Sequence, residues 1–228
     1  MDFLSDWSIF LLIPGMLLAA WAQTKVTTTF NKYSKVYSSR NSQAQDIAEK
    51  ILRSSEILDV EVNPIAGNLT DNYNPTNKTL NLSQSVYGSS SIAAIGVAAH
   101  EAGHAIQHGT QYRPLAMRSI IYPVVKIGST LSWPIFLAGL IFSFQPLLKI
   151  GILAFSFAVI FSLITLPVEF NASKRAISIL SAQGYLIDDE VKGAKKVLDA
   201  AALTYVASAF SSILQLLRLI MLSKRNRR

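Results

Sequence analysis

Residues Gly96 to Gly109 read GVAAHEAGHAIQHG, and this stretch holds all three histidines of a 228-residue chain. His100, His104 and His108 recur every four residues, the spacing that stacks side chains on one face of an α-helix. Two imidazoles four apart on one face stand at about the separation a single ion bridges, and Glu101 falls beside them. The run before it is helical in character. Ser89 to Ser91 offer an N-cap, the apolar and small residues IAAIGVAA follow, and Gly109 supplies a stop.

The chain has no cysteine, so a thiolate metal site, a Cys nucleophile and a disulfide framework are all excluded. Any ion must sit on nitrogen and oxygen, and two imidazoles with a carboxylate and an open fourth position suit zinc rather than calcium or magnesium. The third ligand is either His108 or a residue remote in sequence. On a straight helix His108 lies about 12 Å along the axis from His100, too far for one ion to reach both. The glycine turn and distal histidine of metzincins are missing too, since Gln107 and Thr110 occupy those places. Glu169, in LPVEFNASKRA, is the better candidate, and His108 is left as a supporting or surface residue.

The rest of the chain explains how Glu169 would arrive there. Half of the residues are hydrophobic and only 15% are charged, a membrane-like balance. Apolar runs of nearly spanning length occur at Trp7–Ala22, in STLSWPIFLAGLIFSF and in GILAFSFAVIFSLITLPV. The first reads as an uncleaved anchor, because Asp2 and Asp6 and no Lys or Arg precede it, whereas a signal peptide begins positively charged. The other two are separated only by QPLLKI and form a hairpin that goes out and returns, so Glu169 emerges on the side of the histidine helix. Lys25, Lys32, Lys35, Arg40, Arg113, Arg118, Lys174 and Arg175 flank that side against Lys149 in the turn, which places it in the cytoplasm. The formal net charge of +7 is thus a topology signal, and nucleic acid is not an expected partner.

Between anchor and histidine helix, SQAQDIAEKILRSS carries Ala44, Ile47, Ala48, Ile51 and Leu52 at helical spacing, an amphipathic helix. Next, LDVEVNPIAGNLTDNYNPTNKTLNLS reads as short strands joined by turns. At the C-terminal end Thr204, Ser208, Ser211, Ser212, Gln215 and Arg218 form a polar stripe opposite Leu, Ile and Phe. That pattern favours an amphipathic helix lying in the interface, with a length that also permits a span.

Taken together, TDNYNPTNKTLNLS, VYGSSSIAAIGVAAHEAGHAIQH and LPVEFNASKRA resemble the YugP-type family of membrane zinc metallopeptidases over most of the chain. The resemblance implies zinc ligands at His100, His104 and Glu169, one zinc per chain, Glu101 as the catalytic glutamate, and a bacterial cell membrane. EFNASKRA is similar to the third-ligand helix of the wider gluzincin group, whose members usually have Asp four residues after the ligand Glu. Ser173 stands there in this chain, so Ser173 or Asn171 would orient a histidine by hydrogen bonding. An oxyanion stabiliser would be Tyr73, Tyr112, Arg113 or Arg175. In zincins an edge strand above the metal pairs with extended substrate, and KTLNLS is either the candidate strand for that role or part of a plain structural hairpin.

The expected architecture is mainly α and integral to the membrane. An N-terminal anchor (1–22) leads to a zincin-like helical segment with a small β-hairpin (23–118) and a transmembrane helical hairpin (119–168). A third-ligand helical segment (169–204) and an amphipathic or membrane helix with a basic tail (205–228) follow. The expected activity is hydrolysis of peptide bonds in protein or peptide substrates, by a zinc-activated water with Glu101 as general base and the site on the cytoplasmic side. The alternative is a zinc-stabilised membrane scaffold without hydrolytic activity. An intramembrane protease of the site-2 type would need an Asp-Gly ligand motif, and no Asp-Gly pair occurs.

Overall fold

The computed structural model describes residues 7–225, and the charges at Asp2 and Asp6 and the last three residues of the basic tail lie outside them. The described residues are mainly helical. A 3-10 helix, Trp7–Leu12, runs into α1 (Ile13–Tyr33), and α2 (Ala44–Ser54) precedes three strands, β1 (Glu61–Ile65), β2 (Asn72–Asn74) and β3 (Thr79–Ser83). Four further helices complete the order: α3 (Ile92–Gly109), α4 (Arg113–Ile141), α5 (Gln145–Ala182) and α6 (Asp188–Arg225). Four helical segments are long and apolar enough to cross a membrane: Trp7–Tyr33, α4, α5 and α6, with α5 the most apolar at a mean hydropathy of 2.4.

The chain divides into two compact units. One comprises residues 23–115 and 168–203. Its core gathers around α2 and α3, and the side chains that α2 buries are Ala44, Ile47, Ala48, Ile51 and Leu52, the five picked out by helical periodicity. Burial of each of the three larger ones stabilises the unit by about 1.5–3 kcal/mol relative to exposure. Leu80, Leu82 and Val86 join that core from β3 and the turn after it, and Ala176, Leu180, Ala194, Val197 and Leu198 join from α5 and α6.

The sheet has the order β1-β3-β2, with β3 parallel to β1 and antiparallel to β2. The expected hairpin is β2–β3, paired Tyr73 to Leu80 across the NPTNK turn. The expectation for KTLNLS needs correcting. That strand is β3, which is central, and both its edges are already paired, so it has no free backbone groups to offer an added strand. Its alternation explains the position, because Leu80 and Leu82 are both 0% exposed and a strand so anchored sits over the core. The edges are β1 and β2. Of these β2 packs on α3, whereas β1 packs on α2.

The second unit comprises residues 1–22, 116–167 and 204–228, of which 7–22, 116–167 and 204–225 are described. Phe136, Leu148 and Leu219, from α4, α5 and α6, form a small cluster there. Glycines let the helices approach closely, as small residues do in membrane bundles. A Cβ on Gly15 would meet Ser211 Oγ at 2.8 Å, and one on Gly151 would meet Phe136 Cβ at 2.8 Å. Part of the polar stripe of α6 meets other helices, since Ser212 and Ser162 share an Oγ–Oγ hydrogen bond of 2.9 Å and Arg218 is 8% exposed, whereas Ser208 is exposed.

Candidate metal centre

The site lies wholly within the unit formed by residues 23–115 and 168–203. Ser91 caps α3, its Oγ accepting from Ala94 N at 3.2 Å, so the helix begins where the sequence places an N-cap. His100 and His104 then leave the same face, one turn apart, with ring centroids 4.7 Å from each other and planes at 84°. Glu169 comes from α5, which crosses α3 closely because residue 103 is glycine. A Cβ there would stand 2.7 Å from the carbonyl oxygen of Ala172.

The two imidazoles and the carboxylate converge. His100 Nε2 lies 3.3 Å and His104 Nε2 3.4 Å from the same Glu169 oxygen, Oε2. One donor atom from each of the three residues lies within 4.8 Å of the others. The side chains are 12%, 12% and 3% exposed, so the donors are largely withdrawn from competing water. Four-coordinate zinc binds nitrogen and oxygen at about 2.0–2.2 Å, and tetrahedral donors at that radius stand about 3.3–3.6 Å apart. The histidine to glutamate distances are edges of such a tetrahedron, and the donor set fits zinc. His108 lies outside the group, and Tyr73 takes it up instead through a 2.8 Å hydrogen bond between Tyr73 Oη and His108 Nδ1.

Each of the two imidazoles is also held from behind. Ser173 Oγ lies 3.1 Å from His100 Nδ1, so the serine at the position where the wider gluzincin motif usually has Asp touches the His100 ring. His104 Nδ1 is 3.0 Å from Gln107 Oε1. Gln107 escaped the reading of the sequence as anything but a missing metzincin glycine. A signal was present, since a residue seven after His100 and three after His104 must share their face. Asn171 is placed one step further out, accepting at Oδ1 from Gln107 Nε2 at 3.0 Å and from Arg175 Nε at 2.9 Å. The Arg175 guanidinium in turn stacks over the Tyr112 ring, its Cζ 6.0 Å from the centroid. Arg113 is exposed at the start of α4.

Glu101 is 8% exposed, beside His100 on the same helix. Burial pushes its carboxyl above the ordinary carboxylate range, with the His100 and His104 imidazoles pulling back and Glu169 adding to the rise. A carboxyl so tuned holds a proton more readily than one in water.

A family model described as "Putative neutral zinc metallopeptidase" matches residues 8–224. The chain belongs to that family. It is 47% identical over 214 residues to the "Putative membrane protease YugP" of Bacillus subtilis (strain 168), an alignment that covers 94% of this chain and 95% of that one. No solved structure matches. Zinc is therefore the ion the family implies for the His100, His104 and Glu169 cluster, and the apolar helices agree with the membrane setting in the relative's name.

Proposed function

We propose that this member of the neutral zinc metallopeptidases is a membrane-integral endopeptidase that cuts protein or peptide substrates at a site facing the cytoplasm. The observation that carries the reading is the convergence of two Nε2 atoms on one Glu169 oxygen, at 3.3 and 3.4 Å, with the carboxyl of Glu101 buried beside them. His100, His104 and Glu169 hold one zinc. When bound, the ion supplies a Lewis acid that polarises a carbonyl and lowers the pKa of nearby water.

Glu101 accepts a proton from the attacking water at a carboxylate oxygen and delivers it to the departing amine nitrogen. Ser173 and Gln107 keep the rings turned towards Glu169, so the donors need little reorganisation to hold an ion. Trp7–Tyr33 anchors the chain, α4 and α5 form an out-and-back hairpin, and α6 makes a further crossing. The packing of Ser211, Ser212 and Leu219 among other helices supports a spanning α6 over an interfacial one.

The test compares detergent-purified wild type with Glu101→Gln at equal measured zinc content, on a quenched fluorescent unfolded-protein substrate. Wild type is expected to cleave, and the metallated variant to lose about 100-fold or more, the scale of a lost general base. Two metallated proteins that both leave every substrate intact would instead mark a scaffold in which zinc only ties α3 to α5.

A further inference from the structure

Gln107 is a fully buried polar side chain whose amide nitrogen makes two hydrogen bonds and whose oxygen makes one. Its Nε2 donates to the backbone carbonyl of Val168 at 2.8 Å and to Asn171 Oδ1 at 3.0 Å. The carbonyl of Val168 can only accept, so the amide cannot be turned over without placing oxygen against oxygen. Asn171 Oδ1 is committed as an acceptor as well, because Arg175 Nε donates to it at 2.9 Å. Gln107 Oε1 therefore faces His104 Nδ1 at 3.0 Å, and an amide oxygen there demands N–H on that nitrogen. With Nδ1 bearing the proton, Nε2 presents its lone pair to a metal.

His100 is held differently. Its partner at Nδ1 is the Ser173 hydroxyl, 3.1 Å away, which can donate or accept and so permits either tautomer. The stricter control is on His104. Gln107 also acts on the third ligand, because Val168 and Asn171 flank Glu169 on α5 and both accept from the same Nε2.

We propose that Gln107 is a positioning residue that fixes His104 as the Nδ1–H tautomer and, through Val168 and Asn171, sets the register of Glu169 against α3. The proposal rests on the reading of His100, His104 and Glu169 as the ligands of one zinc, and it makes no use of hydrolysis.

The experiment uses full-length protein in detergent, loaded with zinc and labelled with nitrogen-15 at its three histidines. In wild type, His104 should show an Nδ1–H proton that resonates downfield and exchanges slowly with solvent. Gln107→Leu, which keeps volume and loses the amide, should move that resonance upfield, speed its exchange and weaken zinc binding about 10- to 100-fold in competition with a chelator. Ser173→Ala should shift the His100 signal and leave that of His104 in place. A Gln107→Leu protein with unchanged zinc affinity and an unchanged His104 proton overturns the assignment, and so does a wild-type spectrum lacking that proton. The wild-type spectrum decides alone if the variant does not fold. Protein that binds zinc with the expected spectrum and cleaves nothing leaves Gln107 in its role and removes only the peptidase reading. Wild type that binds no zinc removes both.

Discussion

Removing Glu169 and removing His108 should have opposite outcomes. Glu169→Ala deletes one of three converging donors and leaves two imidazoles facing a void, so the purified protein should carry far less than its full zinc after dialysis. His108→Asn deletes only the partner of Tyr73, and its zinc content should match wild type. Atomic absorption on both proteins checks the pair of expectations. Zinc retained by Glu169→Ala would point to a different third ligand. The same comparison marks where single-residue reading reached its range. The pair His100 and His104 was legible because a helix turns a four-residue spacing into a shared face. Exclusion of His108 followed from the rise of a helix, a length any sequence reader can compute. Gln107 was not legible in its role, because its decisive partner is a backbone carbonyl 61 residues away that no side-chain pattern advertises.

At the scale of elements, the crossing of α3 and α5 depends on residue 103 having no side chain. Gly103→Ala would place a Cβ 2.7 Å from the carbonyl oxygen of Ala172, a backbone atom that cannot rotate away. The helices must separate, at a cost of about 1–3 kcal/mol, and Glu169 moves with α5. Both the melting temperature of the metal-free protein and its zinc affinity should fall. Gly128→Ala is the control, since its Cβ would meet the Ala154 carbonyl oxygen at 3.5 Å, an ordinary contact. Stability should hold or rise there, given the helix propensity gained. Equal melting temperatures for Gly103→Ala and wild type would show that α3 and α5 do not rely on this contact. The strands teach a complementary lesson. Short strands joined by turns could be read from Asn, Pro and Gly punctuation, but β1 pairs with β3 and not with its neighbour in sequence. That choice buries Leu80 and Leu82 at the sheet centre, a long-range gain that local turn signals do not carry.

At the scale of the whole molecule, the crossings can be counted in a chain that has no cysteine of its own. Trp7–Tyr33, α4, α5 and α6 are each long and apolar enough to cross, and under the proposed topology, in which all four span, Lys50 would lie on the face of the site, with the turn at Phe144 and the end of α6 at Lys224 on the other. Single-cysteine variants at these three positions, treated in intact cells with a membrane-impermeant maleimide, should be labelled at 144 and 224 and protected at 50 until the cells are opened. Labelling at 144 with protection at 224 would return α6 to the interface, and labelling at 50 would turn the site outward. Loops rich in Lys and Arg around α1, α4 and α5 favour the proposed cytoplasmic orientation, whereas Lys224 and Arg225 at the end of a spanning α6 count against it, so position 224 is the informative one.

The sequence by itself determined what depends on neighbours along one helix or on length: the histidine face, a cap within Ser89 to Ser91, the apolar face of α2, and runs long enough to cross a bilayer. Hairpin parity even pointed to Glu169, because a chain that leaves and returns must come back to the same side. Only the tertiary structure decided the central place of β3, the contact of Ser212 on α6 with Ser162 on α5 and the clamp of Gln107 on Val168 and Asn171. These rest on distances between residues far apart in the chain, set by how closely glycine and alanine let helices meet and by which buried polar atom finds a partner.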